Sequence, residues 1–237
     1  MSLFIQLPVT APATIGTVAE GDIEIFLPFD SDATEFWNFR RASLVAANDA
    51  TKSLTPQGNY SFSGNALNVT TGGGNNLETS LVDDGEFSFC GVVSHLGSDT
   101  MSTIIAGNYQ NSVEGTTIYK ATGGVLTVRA ASKVSTIGVP HASSPLFFGV
   151  SISKSSPALS VVVKQPGTLD FSVTGISFAT PYVESTEPVT LGSLVGGAVS
   201  NIPFYEFATY ERALTLAELN TKYLLAKTRM KGIGISI

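Results

Sequence analysis

Along most of this chain apolar residues recur at every second position, the period of a strand with one face buried. The run "DIEIFLPF" puts Ile23, Ile25 and Leu27 on one face. "GEFSFCGVV" puts Phe87, Phe89 and Gly91 on one face and Ser88, Cys90 and Val92 on the other. "TTIYKA", "GVLTVRA", "LFFGVSISK", "ALSVVVKQ" and "TLDFSVTGISF" follow at close spacing, and turn signals lie between the runs: "TTGGGNN" at 70–76, "GSD" at 97–99, "TGG" at 122–124, "SSP" at 155–157 and "QPG" at 165–167. Short alternating strands separated by Gly, Asn, Ser and Pro predict an all-β antiparallel sandwich or barrel. Two hairpins are explicit, one turning at Gly123 and Gly124 and one at Pro166 and Gly167. The glycines supply the positive φ angles such turns need.

One segment breaks the period. From Leu214 onward apolar residues return every three or four positions, with Leu216, Leu219, Tyr223 and Ala226 on one face of a predicted helix. Thr215 is placed to cap it and Glu218 to close a capping box, with Leu214 and Leu219 as a hydrophobic staple. Replacing Thr215 by Ala is expected to cost about 1 kcal/mol. Residues 1–20, rich in Pro, Thr and Ala, are expected to form an extended arm ahead of one domain at 21–230. The closing "KGIGISI", 231–237, is expected to be a tail or an added terminal strand. No repeat of about 20 to 50 residues divides the chain.

Composition narrows the function classes. Of 237 residues only 14% are charged, and the net charge is −6. A nucleic-acid surface needs clustered cations to displace counterions, which this chain lacks. The basic groupings are Arg40 with Arg41, and Lys227, Arg229 and Lys231, which are placed to complement the dipole at the helix end. Cys90 is the one cysteine and falls in an alternating apolar run, so it is expected to be a buried small hydrophobe. No apolar run is long enough for a transmembrane helix. The opening residues lack a basic n-region, and Pro8 and Pro12 interrupt them, so no ordinary signal peptide is expected.

The segment "FYEFATYERALTLAEL" resembles the closing strand and helix of concanavalin A-like jelly rolls of the laminin-G type, with Tyr210, Arg212, Ala213, Leu214, Thr215 and Glu218 matching position by position. "IFLPFDSDA" at 25–33, "SFSGNALNV" at 61–69, "GEFSFCGVV" and "PVTLGSLVGGAVSNIPFYEF" resemble earlier strands of that family in the same order. The likeness runs from about residue 22 to residue 225. Many family members carry Asp where Tyr205 stands and Trp where Cys90 and Gly91 lie. The resemblance implies an antiparallel two-sheet jelly-roll sandwich with one short C-terminal helix.

Candidate chemistry is sparse. Retaining glycosidases of this superfamily need two carboxyl groups about 5 to 5.5 Å apart. Glu184 and Glu187, three apart beside Pro188, do not share a strand face, and Asp22 with Glu24 sit at a strand start without the family's Glu-x-Asp-x-x-Glu run. His95 and His141 stand apart in loops, with no Gly-x-Ser-x-Gly elbow and no companion zinc ligands. "TTGGGNN" lacks the Lys and following helix of a phosphate cradle. Calcium is possible, because laminin-G-like sandwiches often hold it at a loop rim. The oxygen donors available are Asp30, Asp32, Asp83, Asp84 and Asp99, all also ordinary turn residues. Trp37 and Tyr109 are the candidate aromatic platforms for a sugar, with a place in the core as the competing role. Asn59-Tyr-Ser and Asn68-Val-Thr are acceptor sequons of relevance only in a eukaryotic secretory setting.

The expectation is therefore a noncatalytic structural or host-surface adhesion subunit of a virus particle, a bacteriophage in particular. Its partners would be other virion subunits, a second copy of the chain or a cell-surface glycan, with no nucleic acid and no membrane insertion. The alternative is an extracellular carbohydrate-binding module of a secreted or surface system. A glycoside hydrolase comes third, with no motif behind it.

Overall fold

The computed structural model describes residues 30–94, 102–141, 144–193, 195 and 198–237. In chain order its strands are β1 (Glu35–Asn38), β2 (Thr55–Pro56), β3 (Tyr60–Ser63), β4 (Ala66–Thr71), β5 (Asn76–Glu78), β6 (Glu86–Val93), β7 (Thr103–Gly107) and β8 (Thr116–Lys120). They continue with β9 (Leu126–Ala130), β10 (Lys133–Gly138), β11 (Leu146–Ser153), β12 (Ala158–Gln165), β13 (Leu169–Ser177), β14 (Thr190–Gly192) and β15 (Ser200–Tyr210). Helix α1, Leu216–Lys231, closes the chain.

The strands form two antiparallel sheets. The larger has eight strands in the order β13-β12-β11-β6-β15-β4-β3, with β1 also paired to β15. The smaller has seven, in the order β10-β9-β8-β7-β14-β5-β2. This is the two-sheet antiparallel sandwich that the jelly-roll resemblance implied, where the alternating pattern alone left sandwich and barrel open. Phe87 and Phe89 of β6 point into the core between the sheets, while Cys90 and Val92 point out of it. Gly91 shares the core-facing side, where a Cβ would press on the Phe148 ring at 3.0 Å. Both expected hairpins are present, with Gly123 and Gly124 at φ 88° and 82°, and Gly167 at φ 68°.

A second, smaller core lies on the outward face of the eight-stranded sheet. Cys90, Val92, Phe147, Val162, Ala208 and Tyr210 pack there against Leu219, Ala226 and Met230 of α1. The capping box is complete: Thr215 accepts from the Glu218 amide, and Glu218 accepts from the Thr215 amide. Leu216 and Tyr223 are only partly buried, so the buried stripe is rotated from the expected one and takes in Lys222 and Arg229. The tail adds no strand. It turns after Lys231 and returns Ile237 to this outward core, where the side chain is buried.

A bulge in β15 connects the two cores. The register against β6 shifts between Phe204 and Glu206. Phe204 and Phe207, three residues apart, therefore both enter the inner core, while Tyr205 lies against the outer one. The same irregularity carries Glu206 to the helix side, where it meets Arg229.

Candidate functional site

The side chains expected to do chemistry are mostly engaged in holding the sandwich together. Trp37 lies wholly inside the inner core, stacked on Phe207 with ring centroids 6.3 Å apart, and its indole N–H donates to the Leu44 carbonyl at 2.7 Å. It offers no face to a sugar. Tyr109 is half-buried, with Arg129 over its ring and donating to its hydroxyl at 3.0 Å.

The aspartates are dispersed rather than convergent. Asp83 is buried and accepts from Tyr182 Oη at 2.6 Å, Asn108 Nδ2 at 2.8 Å and the amides of Gly85 and Ser185. Burial, with the Asp83 charge beside it, holds the Tyr182 phenol far above its usual range. Among the described residues Asp84 accepts only from the Glu86 amide two residues on, an ordinary turn contact. Asp30 and Asp32 share Lys222, whose ammonium donates to Asp30 Oδ1 at 2.6 Å and also to Asp32. Tyr210 donates to the other oxygen of Asp30, and Arg212 bridges Asp32 and Glu218 at 2.9 and 2.8 Å. Among the described residues no group of three or more His, Cys, Asp or Glu could hold a metal ion. Asp22, Glu24, His95, Asp99 and the arm at 1–20 lie outside the described residues.

Burial is the largest influence on Asp30. It raises the Asp30 carboxyl, and the Lys222 and Tyr210 contacts pull it back in part. Asp32 is held well below the carboxylate range by its hydrogen bond to Asp30, with Lys222 and Arg212 adding to the effect. Cys90 is pushed up to about 12 by burial, which leaves it an inert thiol. Arg229 was expected to serve the helix dipole. Instead it is buried and grips Glu206 through two bonds, Nε to Oε2 at 2.7 Å and Nη2 to Oε1 at 2.8 Å. Glu35, unflagged by its sequence context, is buried too and accepts from the Ser80 amide and Thr209 Oγ1. Glu184 pairs with Lys154, and His141 exchanges backbone hydrogen bonds with the Gln165 amide group.

The open ground is elsewhere, at the end of the eight-stranded sheet not covered by α1. A depression of about 420 Å³ is lined there by Asn59, Tyr60, Ser61, Ser63, Asn68, Thr70 and Asn201. Strand pairing assembles it: Ser61 stands opposite Asn68, and Thr70 opposite Asn201. Neighbours Leu67, Val69 and Ile202 point into the core, so alternation turns Asn68, Thr70 and Asn201 outward. Asn68 Nδ2 donates to Ser63 Oγ at 2.8 Å, and Thr70 Oγ1 donates to Asn201 Oδ1 at 3.0 Å. Tyr60, opposite Val69, stands on the other face of this edge strand, 41% exposed and edge-on to Phe62 at 5.9 Å. The outward side chains of the lining are amides and hydroxyls, with no carboxyl, base or thiol nucleophile. Sequence had flagged Asn59 and Asn68 only as sequons.

No family model and no curated protein matches the chain, whereas solved structures do. The botulinum neurotoxin serotype D binding domain superposes with a TM-score of 0.58 at 10% identity, over 85% of this chain and 52% of that one. Trypanosoma rangeli sialidase, solved with a difluoro-KDN ligand, gives 0.58 at 14% identity, over 84% of this chain and 33% of that one. Domain 4 of AbnA, a GH43 extracellular arabinanase from Geobacillus stearothermophilus solved with arabinotriose, gives 0.52 at 16% identity, over 80% and 97%. The chain spans about half the length of the neurotoxin binding domain it matches. With these proteins it shares the antiparallel β-sandwich fold.

Proposed function

We propose that this chain is a noncatalytic recognition module that binds a neutral glycan in the depression at the β3-β4-β15 end of the larger sheet. The observation that carries this is the lining itself. Side-chain amides and hydroxyls supply both donors and acceptors, as sugar hydroxyls require. A domain of the same fold has been solved with arabinotriose, which supports the reading. The absence of a carboxyl pair from this lining favours binding over hydrolysis.

The test is a titration with neutral oligosaccharides, arabinotriose among them, on the full chain and on Asn201→Ala. The expected outcome is saturable binding that weakens about tenfold or more in the variant. Failure of every neutral glycan to bind, or binding indifferent to Asn201→Ala, would overturn the site. Release of reducing sugar would overturn the noncatalytic assignment.

The setting we propose is a virus particle, a bacteriophage in particular, with the chain as a structural or host-surface adhesion subunit. Its support is the low charge and a single buried thiol that asks for no disulfide. Full-length chain should then assemble into oligomers that a deletion of residues 1–20 disperses. A monomer in both cases would count against assembly through that arm. The tail is no part of this test, because Ile237 is needed inside the outer core.

A further inference from the structure

The outward face of the seven-stranded sheet carries a cation that, among the described residues, has no anion paired with it. Arg129 lies on β9, opposite Thr117 of β8 and Val134 of β10. Its neighbours Val128 and Ala130 belong to the inner core, so alternation turns Arg129 away from it. Tyr119 stands two residues along β8 from Thr117 and shares that face. Arg129 is close enough to Tyr119 to offset part of the upward push that burial gives its phenol.

Tyr109 fixes the guanidinium from the side. Arg129 Nη1 donates to its hydroxyl at 3.0 Å, and Cζ lies 5.4 Å from its ring centroid. Arg129 Nε is buried without any hydrogen-bond partner. Among the described residues Arg129 makes no ion pair, whereas Arg212 and Arg229 are both committed to carboxylates. Of its five donors the structure thus satisfies one. A partly desolvated guanidinium attracts an anion more strongly than one in open water, because less solvent screens it.

The chemistry of the partner follows from the charge and shape of this group. A single planar fork matches a planar carboxylate in geometry and balances a single negative charge. The net charge of −6 disfavours polyanions at long range. Two phenol rings beside the fork can receive the C–H face of a pyranose. We propose that Arg129, Tyr109 and Tyr119 form a binding site for a carboxylated sugar, the guanidinium taking the carboxylate and the phenol rings the sugar ring. It lies on the opposite sheet from the neutral depression and stands independently of it.

The test follows the Arg129 side-chain Nε–H signal by NMR while the full chain is titrated with sodium glucuronate, with glucose, and with sodium acetate. Glucuronate should shift that signal saturably, with an affinity about tenfold or more above that of acetate. Glucose should leave it in place. Arg129→Lys should weaken glucuronate binding about tenfold with an unchanged melting transition, since Lys keeps the charge and loses the fork. Tyr109→Phe should weaken it less, and Asn201→Ala not at all. Equal responses to glucuronate and acetate would reduce the site to a bare anion contact and overturn the sugar assignment. No saturable shift with glucuronate, or unchanged affinity in Arg129→Lys, would overturn the site altogether.

Discussion

The two ends of the outward face of the larger sheet share strand β15 and behave in opposite ways. At the covered end, α1 lies on Cys90, Val92, Phe147, Val162 and Ala208, and two helix cations enter the interface and meet buried carboxylates. At the open end, Asn68, Thr70 and Asn201 face outward, all neutral. Strand β15 contributes to both, with Asn201 exposed and Glu206 buried. The difference is one of solvent. Under the helix a polar group must be matched to a partner or it destabilises the fold, so every charge there is specified. In the open, a polar group keeps water as a partner and is free to exchange it for a ligand.

The sharpest way to break the covered end is Lys222→Met. It removes the cation from a side chain only 6% exposed and leaves Asp30, 2% exposed, without it. Breaking one partner of a buried ion pair costs about 3–5 kcal/mol, to be measured by urea denaturation at neutral pH. The pH dependence has a definite sign. Asp30 already has a raised folded pKa, mainly from burial, and loss of Lys222 raises it further. A carboxyl raised in the folded state costs stability above that pKa, and acidification through it restores the fold. Asp32 is lowered, so the stability it contributes is present above the unfolded carboxylate pKa and lost as pH falls. Lys222 supports both effects at neutral pH, so the variant's deficit should shrink on acidification through the Asp30 titration. Adding Asp30→Asn should recover part of it. A deficit that ignores pH would mean that Lys222 acts through its methylenes alone.

The covered and open ends also differ in how far sequence alone could anticipate them. The capping box at Thr215 and Glu218, the alternating faces of β6 and the Gly123–Gly124 turn are local, and local periodicity specifies them. Partner choice is not local. Lys222 meets Asp30 across 192 positions, and Thr70 meets Asn201 across 131. Such pairs depend on strand order, which period-two alternation leaves open. Thus Asp30, Asp32 and Asp83 stood out as acids in loops, and nothing near them in sequence showed that Lys222, Arg212, Tyr182 and Asn108 would occupy their oxygens. Trp37 stood out as an aromatic, and only its register against Phe207 places it in the core. Glu206 reaches the helix through a bulge that strict alternation does not foresee.

A smaller test of the covered end is Gly149→Ala. Gly149 sits on β11 between Cys90 and Val162, and its missing side chain makes room for the helix. A Cβ there would lie 3.1 Å from Leu219 Cδ2 and 3.4 Å from the Phe147 ring. Added volume at a closely packed contact costs about 1–3 kcal/mol. The loss should appear as a lower denaturation midpoint with an unchanged slope. If stability is unchanged, α1 rides loosely on the sheet and the contrast between the two ends is weaker than the packing implies.

At the open end the corresponding substitution should hardly register in stability. Asn201→Ala removes the acceptor for Thr70 Oγ1, but the residue is exposed and water replaces the lost bond. The expected change is within about 0.5 kcal/mol, the range for surface positions away from special features. The same substitution is expected to weaken neutral-glycan binding about tenfold, near 1.4 kcal/mol. The ratio is the point. At the covered end side chains should matter to folding and not to any ligand, and at the open end to a ligand and not to folding. If Asn201→Ala costs the fold as much as Gly149→Ala does, the depression is part of the scaffold. The hydroxyls and amides would then be committed to one another, with little left to offer a sugar.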